Sequence, residues 1–210
     1  CGMRLSETFA LTWENIDFEH RTIRIERQIQ WHQNDRSKEE KERHNGKSQP
    51  GAGYWYFSSP KYNSVRTIDM DEALAVTLER EYARQLRAEE YFGERYIRYY
   101  ENANHVIVKT PNENRIMFVC VRENGEYYNS RNMQYTSQII HQQLNIPGFD
   151  YHSLRHTHAT MLLDAGAPLK YIQYRLGHKN IDITLNVYQH FTESSRIQGN
   201  ERLNGMFLDT

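Results

Sequence analysis

Two consecutive helices that each stop on a glycine, between Tyr151 and His178, constrain this 210-residue chain more than any other feature. YHSLRHTHATMLLDAG fits a helix that starts near Ser153 and stops at Gly166, with Leu154, Thr157, Met161 and Leu162 able to face a core. PLKYIQYRL follows and ends at Gly177-His178. His152 and Arg155 emerge together at the N-terminal end of the first helix. Free amides and the helix dipole favour an anion there, and an added arginine makes phosphate the natural guest. His178 falls at the C-terminal end of the second helix, where a protonated ring is favoured.

The first half of the chain mixes helical spacing with period-two alternation. Residues 4–13 predict a helix with Leu5, Phe9 and Leu11 on one face. In TIRIERQIQW, Ile23, Ile25, Ile29 and Trp31 alternate with polar residues, which predicts one half-buried strand with Arg27 as a blemish. The charged run from His32 to Gly53 predicts an exposed connection. Tyr54–Phe57 and Val65–Ile68 predict two strands around a turn at Lys61–Ser64, in one small antiparallel sheet with the first strand. Asp69 or Asp71 caps the next helix, with Leu74, Leu78, Tyr82 and Leu86 on its apolar face and a pattern running on towards Tyr100. A strand at MFVCV, a turn at Asn124-Gly125 and a helix over 130–144 complete the middle of the chain. The fold class is α+β, mainly helical with a small antiparallel sheet.

Composition sets bounds. At 38% hydrophobic residues the chain can build one sizeable core. Twenty-six Lys plus Arg against 27 Asp plus Glu give no global basic field, which counts weakly against nucleic acid. Local clusters decide phosphate binding, because screening acts over about 10 Å. Two cysteines, Cys1 and Cys120, without metal spacing, predict a reduced intracellular protein, and no run of about 18 apolar residues predicts a membrane span. The chain opens abruptly, as if cut from something longer.

Taken singly, these residues are ordinary. An HxxR pair occurs often by chance, Arg4 can simply pair with Glu7 one turn on, and a lysine beside a turn is ordinarily solvated. Among 15 tyrosines, Tyr188 stands out only by its spacing from His178. His152 and His156, four apart on one helix, have a spacing that can bind a metal ion.

Together the blocks HSLRHTHA, LGHKNIDITLNVYQH, GMRLSE and PKYNSVRTI resemble the catalytic domain of the tyrosine recombinases, the phage integrase family, and are most similar in wording to integrases of phages and conjugative transposons of Gram-positive bacteria. The resemblance spans essentially the whole chain. It implies the fold of a DNA breaking-rejoining catalytic core, here residues 1–210, cut at its N-terminus and without core-binding or arm-binding domains. It places Arg4 and Arg155 on the phosphate, Tyr188 as nucleophile, His152 as assisting base, Lys61 as general acid and His178 as a phosphate donor. Glu7 is implied as a support, and His156 is expected as a buried partner stabilising the helix.

The implied reaction integrates and excises a mobile element through a 3′-phosphotyrosyl link, with no cofactor and no metal. The implied partners are double-stranded DNA and further copies of the chain, four in the synapse, in the cytoplasm at the nucleoid. Two other functions stay open from the residues themselves: a metal-dependent phosphodiesterase built on His152 and His156, and a DNA-binding module without chemistry. The tail SSRIQGNERLNGMF predicts a helix with Ile197, Leu203 and Phe207 along it, docking on its own domain or on a neighbouring copy.

Overall fold

The computed structural model describes residues 1–34, 53–128, 130–146 and 149–180, together with residue 200. Tyr188, the helical stretch expected from Thr184 and the tail helix with Ile197, Leu203 and Phe207 lie outside the described residues, as does most of the charged connection.

The chain opens with a one-turn helix, α1 (Leu5–Thr8), whose N-cap residue Arg4 donates its amide to Glu7 Oε2 at 2.9 Å. The helix expected over 4–13 is therefore shorter. Leu11 and Trp13 leave it for the core, with a 3-10 turn at Trp13–Asn15.

The single strand predicted over 22–31 is two. β2 (Thr22–Ile25) lies between β1 (Ile16–Asp17) and β5 (Arg66–Asp69), whereas β3 (Gln28–Gln33) pairs antiparallel with β4 (Gly53–Ser58) in a separate ribbon. The break falls at Glu26-Arg27. There the Arg27 guanidinium leaves the strand phase, lies 4.5 Å from the Phe57 ring centroid and pairs with Glu101 at 2.8 Å. β4 and β5 thus flank the Lys61 turn without pairing with each other.

In β2 and β5 the alternation is as expected: Ile23 and Ile68 face each other across the ladder and are almost fully buried with Ile25, Ile16, Leu11, Trp13, Met70 and Val119. Asp71 caps α2 (Glu72–Phe92), its carboxylate accepting from Leu74 N at 2.9 Å. Leu74, Leu78 and Tyr82 pack on this core; Leu86 is exposed, and Gln85 reaches inward instead, bonding Trp13 Nε1 and Val119 O at 2.8 Å each. The helix stops at Gly93, short of Tyr100, because Tyr99–Glu101 turns into strand β6 between β7 (Ile107–Val108) and β8 (Arg115–Ile116). Residues 117–121 are mostly irregular rather than a strand, and Phe118 packs with Phe9, Ile29, Phe57 and Tyr127 in a second core. The turn at Asn124-Gly125 and the next helix, α3 (Ser130–Gln143), form where the residues predict them.

The last two described helices are α4 (Tyr151–Asp164), capped by Asp150, and α5 (Leu169–Leu176), ended by Gly177 in left-handed backbone (φ 65°). They pack through Ala159, Ile172 and Leu176, with Leu162 against them. The expected core face of α4 is corrected: Leu154, Thr157 and Met161 are exposed, and the buried stripe is Arg155 and Ala159. Apolar residues lie all round this helix, so their spacing does not choose a face.

Candidate active site

The C-terminal end of α5 organises the site. A helix leaves its last carbonyls without intrahelical partners, and its dipole makes that end negative. Here three successive carbonyls each accept from a different arginine. Arg175 O takes Arg66 Nε at 2.8 Å, Leu176 O takes Arg155 Nη2, and Gly177 O takes Arg4 Nη2 at 2.7 Å. His178 follows immediately, its amide bonded to Gln173 O at 3.1 Å.

The second anchor is Glu7, only 1% exposed. Its Oε1 accepts from Arg4 Nη1 at 2.8 Å and Arg66 Nη1 at 3.2 Å, and its Oε2 from Arg66 Nη2 at 2.8 Å. Burial pushes this carboxyl up, but the hydrogen bonds and charges of Arg66 and Arg4 prevail and hold it below the usual range. Arg4 and Glu7 are therefore no exposed surface pair. They form a buried network in which one carboxylate serves two guanidinium groups.

Two close approaches make this geometry possible. Arg155 Nη1 donates to Gly2 O at 2.6 Å; Gly2 has a φ of 70°, and a Cβ there would meet His158 at 2.6 Å and Leu176 at 2.7 Å. At Gly177 a Cβ would lie 2.8 Å from Arg66 Nη1, so glycine lets the guanidinium lie against the turn.

Burial first, and then the Arg4 charge, lowers Arg155 to about 10, which leaves it a cation at neutral pH. His178 is corrected by the same physics. The helix end favours a charged ring, but burial and the nearby Arg155 and Arg4 lower its pKa to about 4, so it is neutral.

His152 is exposed on the first turn of α4 and lines a cleft with Arg4, Arg155, Met3 and Tyr151. Burial, then His156 and Arg155, push its pKa below the ordinary value, leaving a ring able to accept a proton. His156 is exposed and not the buried partner expected; its ring meets that of His152 edge to face at 4.7 Å. The histidine that does tie α4 to α5 is His158, whose Nε2 accepts from Arg175 Nε at 3.1 Å. Among the described residues no group of three or more His, Cys, Asp or Glu is gathered to hold a metal ion, so His152 and His156 stand without a third ligand there.

Lys61 begins a 3-10 turn (Lys61–Asn63) and is exposed, its side chain without a hydrogen bond or ion pair to a described residue. Its turn is nevertheless tied to the site. Ser64 Oγ accepts from Arg4 Nη1 at 3.3 Å, Ser64 O from Arg66 Nη1 at 3.0 Å, and Lys179 Nζ lies 5.9 Å from the Tyr62 ring centroid. Of the residues singled out from the sequence, Arg4, Glu7, Arg155 and His178 thus meet at one helix end. His152 lines a cleft with two of them, Arg4 and Arg155, Lys61 lies in the turn that Ser64 ties to Arg4 and Arg66, and Tyr188 lies outside the described residues.

Arg66 and Arg175 are not among the residues that the sequence motifs single out. Arg66 lies in inward phase with Ile68 on β5, and Arg175 is buried beside Leu176, three residues after Ile172. An arginine on the core-facing phase of an element was the available signal.

Residues 1–195 match the model of the phage integrase family. The chain belongs to that family. It is 29% identical over 208 residues to a tyrosine recombinase XerC-like protein of Caldanaerobacter subterraneus subsp. tengcongensis, covering 99% of this chain and 47% of that protein. It is also 29% identical over 205 residues to the transposase from transposon Tn916 of Enterococcus faecalis, covering 97% and 43%. Among solved structures, the Tn1549 transposon integrase in complex with circular intermediate DNA superposes with a TM-score of 0.62 at 26% identity, over 96% of this chain and 56% of that one. The chain therefore spans about half the length of the relatives it matches, and the fold is that of a tyrosine recombinase catalytic domain. No helix among the described residues is long and apolar enough to cross a membrane.

Proposed function

We propose that this chain is the catalytic domain of a site-specific DNA recombinase that integrates and excises a mobile element through a 3′-phosphotyrosyl intermediate, without metal or cofactor. The observation that carries it is the pair of family-matched arginines, Arg4 and Arg155, held on adjacent carbonyls at the turn that bears His178. Two planar cationic forks beside a neutral imidazole N–H donor suit the non-bridging oxygens of a phosphodiester, on which charge grows as a nucleophile attacks.

In this mechanism the Tyr188 hydroxyl, ordinarily near pKa 10, gives its proton to His152 as its oxygen bonds to phosphorus. The bond from phosphorus to the 5′ oxygen breaks, and Lys61 Nζ protonates the departing oxygen. Arg4, Arg155 and His178 bind the phosphate throughout; Glu7 orients Arg4. Attack by the 5′ hydroxyl of another strand releases Tyr188 and reseals the DNA, so the bond energy is kept in the covalent link. The working assembly is a homo-oligomer on double-stranded DNA, four copies at the synapse, in the cytoplasm.

The likeness to transposon and XerC-like recombinases supports the reaction class, and the arginine geometry supports the roles. The test uses the full-length protein with a nicked suicide substrate carrying its element's end, in excess EDTA, on a denaturing gel. A covalent protein–DNA band that Tyr188→Phe abolishes is the expected result. Cleavage that requires a restored divalent metal would overturn the proposal in favour of hydrolysis at His152 and His156, and DNA binding with no adduct would favour a module without chemistry.

A further inference from the structure

We infer that Arg66 is a positioning residue of this site, aligning Arg4 on the Gly177-His178 turn without itself touching the DNA. The inference rests on the recombinase function proposed above. Arg66 is 4% exposed, and every contact of its guanidinium is to protein: Nε to Arg175 O, Nη1 to Ser64 O and Glu7 Oε1, and Nη2 to Glu7 Oε2. Four of its five N–H donors are thereby taken, whereas Arg155, equally buried, gives two of its five to the carbonyls of Gly2 and Leu176 and keeps three for a phosphate.

Its partners are nevertheless those of Arg4. Both guanidinium groups bond Glu7, both bond Ser64, and both bond the α5 C-terminus two residues apart, at Arg175 O and Gly177 O. Arg66 thereby fixes the distance between the carboxylate and the turn, and Arg4 spans the same gap one layer nearer the cleft. It also occupies two of the acceptor positions on Glu7. With Arg66 removed, that carboxylate is left to Arg4 alone and draws its fork inward, away from where a phosphate would sit. Lysine cannot replace it, because a single ammonium on a flexible stem cannot hold a carboxylate edge-on and a carbonyl on the other side at once.

A double-mutant cycle separates positioning from mere stability. Arg66→Met and Arg66→Lys are made in the full-length protein, alone and together with Arg4→Lys, in which the fork to be aligned is already gone. Single-turnover cleavage of the suicide substrate at saturating DNA and the unfolding temperature are measured for each. Arg66→Met is expected to slow cleavage by about 10²-fold in the wild-type background, the cost of a misplaced catalytic group. In the Arg4→Lys background it should slow cleavage only a few-fold, while lowering the unfolding temperature equally in both. Arg66→Lys should behave likewise and carries the test if the methionine variant does not fold.

The same slowing factor in both backgrounds, a loss confined to DNA affinity, wild-type rates, or failure of both variants to fold would each overturn the inference. A wild-type protein that binds DNA yet forms no adduct would instead sink the recombinase function first, and the inference with it.

Discussion

The buried arginine frame of this site and its exposed rim, to which the proposed mechanism gives the proton transfers, are built differently. Glu7, Arg66 and Arg155 are buried and bonded to backbone or to each other, whereas Lys61 and His152 are exposed. The difference suits what the proposed mechanism asks of each. Groups that neutralise a phosphate gain most from being fixed in advance in a water-poor setting, so no reorganisation is needed when charge develops. A proton donor or acceptor must reach a particular oxygen of a particular substrate, and can be placed by the DNA itself. Frame residues should therefore affect both stability and rate; rim residues should affect rate alone.

The largest change in stability is expected at Glu7. Removing it in Glu7→Ala leaves the buried Arg66 guanidinium without its anion, and breaking such a pair typically costs about 3–5 kcal/mol. Denaturant unfolding of the purified protein checks this. A cost no larger than that of a surface substitution would dissolve the distinction between frame and rim.

Arg155→Ala should follow. The backbone carbonyls of Gly2 and Leu176 would lose a donor, a penalty of about 1–3 kcal/mol for a buried group left unpaired. Adduct formation should slow by about 10²–10³-fold, as for loss of one preorganised donor.

Lys61→Ala should leave unfolding within about 0.5 kcal/mol of wild type, as an exposed residue does. It should still slow cleavage by about 10²–10⁴-fold if Lys61 is the general acid.

A further effect is a pH dependence. His178 and His158 are held neutral down to about pH 4 in the fold but titrate near 6.5 when unfolded. Between those values the unfolded chain binds more protons, so stability should fall as pH drops from 6.5 towards 4. His158→Gln should flatten that slope in a series of thermal melts, and an unchanged slope would show that other groups dominate.

The two regions were not equally legible in the sequence. Residues whose local pattern sets their structure could be read directly: the Ile23 and Ile68 alternation, the Asp71 cap and the glycine stop at Gly177. The blocks bearing Arg4, Arg155 and His178 could be read too, and the fold brings them together.

What could not be read depends on contacts distant in sequence. Glu26-Arg27 breaks a good strand pattern because Arg27 finds Phe57 and Glu101 elsewhere. Leu154 and Met161 looked like core on a helix whose buried stripe in fact runs through Arg155. The expected charge on His178 followed the helix dipole, a local effect, and was overruled by burial and two arginines from remote segments. Arg66 was hidden for the same reason: its role exists only when Glu7, Ser64 and Arg175 surround it.

The division of labour between frame and rim is tested most directly by changing the leaving group. A suicide substrate whose scissile 5′ bridging oxygen is replaced by sulfur expels a thiolate, which needs no proton to depart. Lys61→Ala and Arg155→Ala are compared with wild type on the oxygen and sulfur substrates, in EDTA. Cleavage by Lys61→Ala should recover to near the wild-type rate on sulfur, while Arg155→Ala stays slow on both. Equal rescue of the two variants, or none for Lys61→Ala, would contradict the assignment of charge to the buried arginines and the proton to the exposed lysine.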